Sequence, residues 1–581
     1  MENLLPKSSS NSSNLDLVRH DPLHGSIPKF LKEHNDFYFI GQTLVLSAIA
    51  TYAALLPPGS YDRIKNFRRS YAGAEEAEAF FQRYDVEPFT IVKDDLYLQA
   101  LDIVTEWFRP KSPIHPVHFL DLHMYPWNLS TSAERPFSTN NDLKSGLIHL
   151  KIAGLIDNAR MSFHNLYDHI FTYCRTYTHR VKDGLKPPLH PITLHIKPAL
   201  VDEHSDDKVR TIFGVPKPII FLEAMFLWPL YSTYFKEQTS PLLWNYETLQ
   251  GGWSRLNDEW ISNFRSYKPV FNLDWSEFDM RVYYSMWQDC LDRIKTYFCF
   301  CGRYHPTHTH PRAHTSPNRL HNIWDYLQHA YFNTMAVSTT GNEYKRRFAG
   351  MPSGIFGTQF YDSFYNSVMV VTTLLALDHP VDPNHFIKVM GDDVIFGTLS
   401  NMTAAESAAF LDSFAIEANR RFNSKLSPTK SGVSPTIQGA SILSYTNWNG
   451  YPKRDPVQLL AQLLHPKSLR DTPPRLMARA IGIYYASAGD HRLRPICEQV
   501  YSELKFQGYS PNQAAFDKLF DPRSLGLEHI DLSHFPSKTE VISRLSSPSK
   551  RNPDLQAIYW PLTHFSSEAG FDIQCHSPRS E

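Results

Sequence analysis

Residues 389–397, VMGDDVIFG, set two adjacent carboxylates, Asp392 and Asp393, between apolar runs that read as buried strand. Two like charges this close repel each other and lose hydration, so a cation is the natural compensation. The longer stretch FIKVMGDDVIFGTLS predicts a hairpin with the acids at its turn. Alone, such a turn is no more than two solvated acids. A second acidic strand changes its meaning. In KPVFNLDWSEFD an apolar run, Val270 to Leu273, delivers Asp274 before a helix-like pattern begins. With the two strands as neighbours in one sheet, Asp274, Asp392 and Asp393 converge at one edge. Oxygen ligands of this kind suit Mg2+ or Mn2+, which keep waters and take further ligands from phosphates. Two such ions would clamp an in-line phosphoryl displacement.

Between the acidic strands lies GMPSGIFGTQFYDSFYN, a Gly-containing loop that enters a long apolar helix. Gly354 and Gly357 permit close approach of backbone to a ligand. Ser353, Thr358, Asp362 and Asn366 supply hydroxyl, acid and amide groups able to read a sugar. Upstream, DDKVRTI puts Lys208 and Arg210 on one side of an extended strand, a spacing suited to gripping a triphosphate. Taken singly, those two cations would be a solvated strand face.

The order Lys-x-Arg, DWSEFD, SGxxxTxxxDSxxN, GDD and then a helix followed by PTK resembles the motif series of viral RNA-dependent RNA polymerases. More narrowly, KVRTIFGVPKP, SGIFGTQFYDSFYN, MGDDVIFG and YTNWNGYPKRDP are similar to the polymerases of partitiviruses, which have double-stranded RNA genomes. These motifs cover roughly residues 208 to 456. The resemblance implies an α+β right-hand fold of fingers, palm and thumb with an antiparallel palm sheet. It implies an N-terminal extension or fingers at 1–110, fingers at 111–269 and 286–345, palm at 270–285 and 346–450, and thumb at 451–581.

The resemblance also implies roles. Asp274 and Asp392 would be the principal metal ligands, with Asp393 in support and Mg2+ or Mn2+ as the ion. Asp279 would face the ribose 2′-hydroxyl, and Ser353, Gly354, Thr358, Asp362 and Asn366 would complete the nucleotide and template pocket. Lys208 and Arg210 would neutralise the triphosphate. Lys430 of SPTKSG would donate a proton to departing pyrophosphate, with Lys425 a near alternative. Many related polymerases carry Asn where this chain has Asp362. An acid cannot donate to the 2′-hydroxyl unless protonated, so the sugar network must differ here. The template-side motif ahead of Lys208 is matched by LSTSAERPFS, with Ser132, Arg135 and Pro136, or that stretch is an ordinary Pro-containing loop. Implied partners are RNA template and product, ribonucleoside triphosphates and a viral capsid protein. The implied location is the virion interior and host cytoplasm.

At 581 residues the chain should divide into two to four subdomains. A net charge of −1 gives no general basic coat, but it allows an enzyme whose positive charge is concentrated in a channel. Six scattered cysteines suggest a reducing compartment. Residues 1 to 15, MENLLPKSSSNSSNL, read as a disordered lead. The uncharged run from Phe37 to Gly59 is long enough to span a bilayer, yet it holds Gln42, Thr43, Ser47 and Thr51 and lacks a basic flank, so a buried helix is preferred. Residues 299–314 crowd Cys299, Cys301, His305, His308, His310 and His314, but the spacing fits no common zinc finger, and an exposed loop is expected. A reverse transcriptase would share the carboxylates but would carry a bulky residue in place of Asp279 and Tyr or Phe near the paired acids. A non-catalytic protein with a degenerate palm is the rival from another class; intact Asp274, Asp392 and Asp393 argue against it.

Overall fold

The computed structural model describes residues 12–21, 34–236, 240–427, 429–467, 470–513, 516, 530–547 and 553–566. At its centre is a four-stranded antiparallel sheet in the order Ile387–Met390, Asp393–Gly397, Val270–Leu273, Gly432–Ser434. Side chains alternate across a strand, and here each face meets its own apolar layer. Phe271, Leu273, Val394 and Phe396 point into the largest core, whereas Val270 and Ile395 point into a smaller one with Trp253, Trp260 and Phe386. Burial on both faces is why these strands read as continuous apolar runs rather than as alternating ones.

Two helices form the heart of the main core. Lys217–Lys236 and Thr358–Ala376 are buried over nearly their whole circumference, as expected for helices apolar all round. One polar exception in the first is Glu223, which is fully buried. Its carboxylate accepts the Phe356 N–H at 2.8 Å, the Gly357 N–H at 3.2 Å and the Tyr331 hydroxyl at 2.9 Å. Those amides belong to the entrance of the second helix, where no intrahelical acceptor exists for them. Glu223 thereby ties the two helices together.

A second, mixed sheet has the order Leu15–His20, Asn342–Arg346, Ala336–Val337, Ile192–Pro198, Val209–Gly214. Its first strand corrects the expectation of a disordered lead through residue 15. Asn14 is fully buried, and Leu15–His20 pairs antiparallel with Asn342–Arg346; residues 1–11 lie outside the described residues.

The apolar run from Phe37 onward forms a helix, Asp36–Thr51, that ends well before Gly59. Its Val45, Ala48 and Ile49 share one core with Leu460, Leu476, Ile481 and Val500. This segment, grouped by sequence with the fingers, therefore packs with the helices that follow residue 456. Among the described residues no helix is long and apolar enough to cross a membrane. A buried ion pair, Arg479 to Asp471 at 2.8 Å, lies beside that core, and Asp471 exchanges backbone hydrogen bonds with the Asn35 side chain at 2.7 and 3.1 Å.

Only the second half of the Cys/His-rich segment, His308 to Arg312 with His314, is the exposed loop expected from sequence. Cys299, Tyr304, His305 and Thr307 are buried. The His308 N–H donates to the His564 carbonyl at 2.9 Å, the Ser566 N–H donates to Pro306, and the His305 ring meets Trp560 and Phe565 edge-on. The segment is thus a docking surface for residues 560–566. The ligand atoms of His115, Cys299 and Cys301 do lie within 4.8 Å of one another.

Two stability outcomes follow from these buried charges. Asp471→Ala leaves the Arg479 guanidinium without its carboxylate, and chemical denaturation should register a loss of about 3–5 kcal/mol. Burial pushes Glu223 up to about 8 from an ordinary 4.5, its three donors opposing the rise. The folded chain then keeps a proton that the unfolded chain has released, so this group's contribution to stability declines as pH rises from about 4.5 through 8. Glu223→Gln should flatten part of that decline in melting temperature; parallel curves for the two proteins would exclude the role.

Candidate active site

The register of the central sheet settles where the acids go. Val394 pairs with Leu273, so one further step sets Asp393 opposite Asp274. Met390 pairs with Asp393, which leaves Gly391 and Asp392 as the two turn residues. Gly391 takes φ +66° at the first central position, the hairpin geometry that favours glycine there. Three carboxylates therefore meet at one end of the sheet. Asp393 is pushed up to about 7 by its protein surroundings, with the charges of Asp392 and then Asp274 adding to the effect. Asp392 still meets solvent in the cleft, yet it too is raised, first by the surrounding protein mass and then by Asp274. Lys430 and Arg210 oppose these shifts without cancelling them. This donor set, hard oxygens from two strands with only partly relieved mutual repulsion, fits divalent cations.

Lys430 stands beside the cluster, its Nζ 3.4 Å from Asp274 Oδ1. Lys425 turns away to Glu277 at 3.6 Å, so the two lysines left open by sequence are separated by position. The loop that carries Lys430 also holds the backbone of Asp274. The Asp274 N–H donates to Ser431 Oγ at 3.0 Å, and its carbonyl accepts the Ser427 N–H at 2.8 Å. Lys208 is shifted down by burial, then by the positive charges of Lys430, Arg210 and Arg83, while Asp274 opposes the shift. Arg210 lies directly across from Lys197 in the mixed sheet. Lys467 is lowered by burial and by Lys197, Arg69 and Arg210. Cations from three separate parts of the chain thus lie within one another's fields, although the whole molecule is nearly neutral.

Asp279 and Ser353 come together as expected: the Ser353 hydroxyl donates to Asp279 Oδ2, and the Met351 N–H donates to the Asp279 carbonyl at 2.7 Å. Burial pushes Asp279 up to about 6; the Ser353 hydrogen bond opposes this and the Asp392 charge adds to it. Asp362 lies against the same group. It is buried, its Oδ1 accepts no hydrogen bond, and it is raised well above the carboxylate range by burial and then by Asp279 and Asp392. Asp362 thus adds a fourth acid to this region, close enough to Asp279 and Asp392 to feel both charges. Tyr84 completes this wall. Its phenol is raised by burial and by the Asp279 charge, and nothing in the sequence pattern marked it.

Three expected pocket residues do something else. The Asn366 side chain donates to the Gly391 carbonyl at 3.0 Å and the Asp392 carbonyl at 2.9 Å, and accepts the Trp275 indole N–H at 2.9 Å. These three bonds join the two acidic strands, so Asn366 is a bracket between them. Ser363 shares the task by accepting the Gly391 N–H at 2.8 Å. The Thr358 hydroxyl donates to the Ile355 carbonyl, one turn back, at 2.9 Å. Gly354 does serve a close approach, but to the protein itself: a Cβ there would stand 1.9 Å from the Phe213 carbonyl oxygen. That contact seats the loop on the strand that carries Arg210. Arg135 is buried, with Glu343, Glu134 and Asp21 as its charged neighbours, which sets the 132–136 stretch against the mixed sheet.

Of the side chains missed from sequence, Glu223 had a visible signal: one acid within IIFLEAMFLWPL has no apolar-face explanation. Ser363 and Ser431 had none, because a hydroxyl that binds backbone looks like any other serine.

Comparison with known proteins agrees with this geometry. The model of the family described as viral RNA-dependent RNA polymerase matches residues 120–484. The RNA-directed RNA polymerase of White clover cryptic virus 1 (isolate Boccardo/2004) is 34% identical over 554 residues, covering 87% of this chain and 89% of that protein. The RNA-directed RNA polymerase of Atkinsonella hypoxylon virus (isolate 2H) is 27% identical over 518 residues, covering 79% and 75%. Among solved structures, the Sicinivirus 3Dpol RNA-dependent RNA polymerase superposes with a TM-score of 0.53 at 16% identity, over 79% of this chain and 92% of that one, a likeness of right-hand fold. The chain belongs to the viral RNA-dependent RNA polymerases, with partitivirus-type enzymes among its relatives, and it makes RNA from nucleotides on an RNA template.

Proposed function

We propose that the enzyme joins ribonucleotides by a two-metal nucleotidyl transfer with Mg2+, or Mn2+ in its place, and that it replicates and transcribes a double-stranded RNA genome. The observation that carries the chemistry is the convergence of Asp274, Asp392 and Asp393 at one end of the central sheet. These three carboxylates would hold the ions. When bound, a pair of divalent cations activates the attacking 3′-oxygen and stabilises the leaving pyrophosphate.

The other residues act on the nucleotide directly. Lys208 and Arg210 offset the triphosphate charge and expose its phosphorus to attack. Lys430, beside Asp274, is placed to give a proton to departing pyrophosphate. Asp279 and Ser353 face the sugar. Asp279 accepts a hydrogen bond from the 2′-hydroxyl, and Asp362 lies behind it. Asn366 and Ser363 keep Asp392 at a fixed distance from Trp275 and hence from Asp274.

Work within or beside a capsid, in the virion interior and the host cytoplasm, belongs to the same proposal; the relatives of this chain are polymerases of partitivirus-type viruses.

The decisive assay is labelled ribonucleotide incorporation on an RNA template with Mg2+. Asp392→Ala should abolish it while melting remains cooperative; retained Mg2+-dependent synthesis would remove Asp392 from the metal site. Asp279→Ala should narrow the preference for ribonucleotides over deoxyribonucleotides by about tenfold or more, since a site built to bind a hydroxyl rejects the analogue lacking it. An unchanged preference would take Asp279 out of sugar reading.

A further inference from the structure

We propose that Asn14, far from the catalytic motifs in sequence, is a positioning residue for ribose selection, acting by setting the loop that presents Ser353 to Asp279. This rests on the reading of Asp279 and Ser353 as the sugar-reading pair.

The hydrogen bonds of Asn14 form a closed set. Oδ1 accepts the N–H groups of Phe348 and Ala349, each at 3.0 Å. Nδ2 donates to the Ala349 carbonyl at 3.0 Å and the Tyr84 carbonyl at 2.6 Å. That is four bonds from one amide, the full capacity of an Asn side chain, at a residue with no solvent exposure. The backbone of Asn14 is held separately: its N–H reaches Asp85 Oδ1 at 2.6 Å, and its carbonyl accepts the Arg347 N–H at 2.9 Å.

What these bonds hold is the wall of the sugar site. Directly after Ala349, the Gly350 N–H donates to Val282, the Met351 N–H donates to the Asp279 carbonyl at 2.7 Å, and Ser353 donates to the Asp279 carboxylate. On the other side, the Tyr84 ring packs against Gly350, where an added Cβ would stand 3.1 Å from the ring, and its phenol lies in the field of Asp279. Asn14 therefore joins both walls, the 348–353 loop and Tyr84, through one planar group. An anchor for the N-terminal strand would not need this amide. The strand from Leu15 to His20 has its own ladder to Asn342–Arg346, and Asp85 grips the Asn14 N–H, the Leu15 N–H and the Ser13 hydroxyl together. The side chain of Asn14 extends past the end of that ladder to the loop.

The test reads the ratio of kcat/KM for a ribonucleoside triphosphate to that for the matching deoxyribonucleoside triphosphate, with Mg2+ and an RNA template. Because both substrates are measured on one preparation, the ratio does not depend on how much of the protein is folded. Asn14→Ala should lower it by about tenfold, as small displacements at a reacting pocket do. Asn14→Asp keeps an acceptor for the Phe348 and Ala349 amides but loses both donors, and should give a smaller loss. Asp85→Ala weakens the strand anchor alone and should lower the melting temperature with a smaller change in ratio than Asn14→Ala. Asp279→Asn is the reference. If Asp279→Asn lowers the ratio and neither Asn14 variant does, Asn14 is only a strand anchor and the proposal is overturned. If Asp279→Asn leaves the ratio unchanged, the sugar-reading assignment itself fails, whatever Asn14 does.

Discussion

Three carboxylates at one sheet edge are the constraint around which the molecule is arranged. Asp274, Asp392 and Asp393 repel each other in protein surroundings that hold the charges poorly, and the upward shifts of Asp392 and Asp393 record that cost. Left to itself such a cluster would spread. It is kept together because its backbone is overdetermined. Asn366 and Ser363 clasp the hairpin turn, Trp275 ties Asn366 to the neighbouring strand, and Ser427 and Ser431 hold Asp274 from the far side. The sheet beneath is rigid because both of its faces are buried.

Polar groups with no part in chemistry do much of this holding, and they sit where apolar packing is densest. Glu223 reaches out of one fully buried helix to satisfy the first amides of another, and that second helix bears Asp362 and Asn366. Asn14 does the same for the loop just before it. Asn14 makes four side-chain hydrogen bonds and Glu223 accepts three, and each residue links segments distant in sequence. The loop that carries Ser353 and Gly354 is thereby pinned on two sides and pressed against the Phe213 carbonyl on a third.

Charge is organised with similar economy. The chain is close to neutral overall, yet Arg69, Lys197, Lys208, Arg210 and Lys467 face one another from the N-terminal part, the mixed sheet and the C-terminal helices. Like charges opposed across a strand pair destabilise the free protein. A polyanionic ligand turns that liability into affinity, while Arg83, Arg281 and Lys425 are engaged with Glu277 and kept out of the way.

The amino-acid sequence by itself determined the acidic strands, the hairpin, the central helix and the order of the motifs. Those depend on local periodicity and on chemistry carried by residue type, both visible along a single chain. It also marked Asp279 and Ser353, which the fold brings into hydrogen-bond contact, and Lys208, which lies in the field of Asp274. Only the tertiary structure set Lys430 beside Asp274 and Lys425 beside Glu277, gave Asn366 and Thr358 backbone partners, and seated Gly354 on a neighbouring strand. It alone joined the 36–51 helix to the C-terminal helices, turned the Cys/His-rich segment into a dock for residues 560–566, and made Asn14 and Tyr84 part of the pocket. The physical reason is common to all of these. A hydroxyl, an amide or a glycine has the same local signature whether it meets a nucleotide or a backbone carbonyl, and which one it meets is set by chain segments hundreds of residues away.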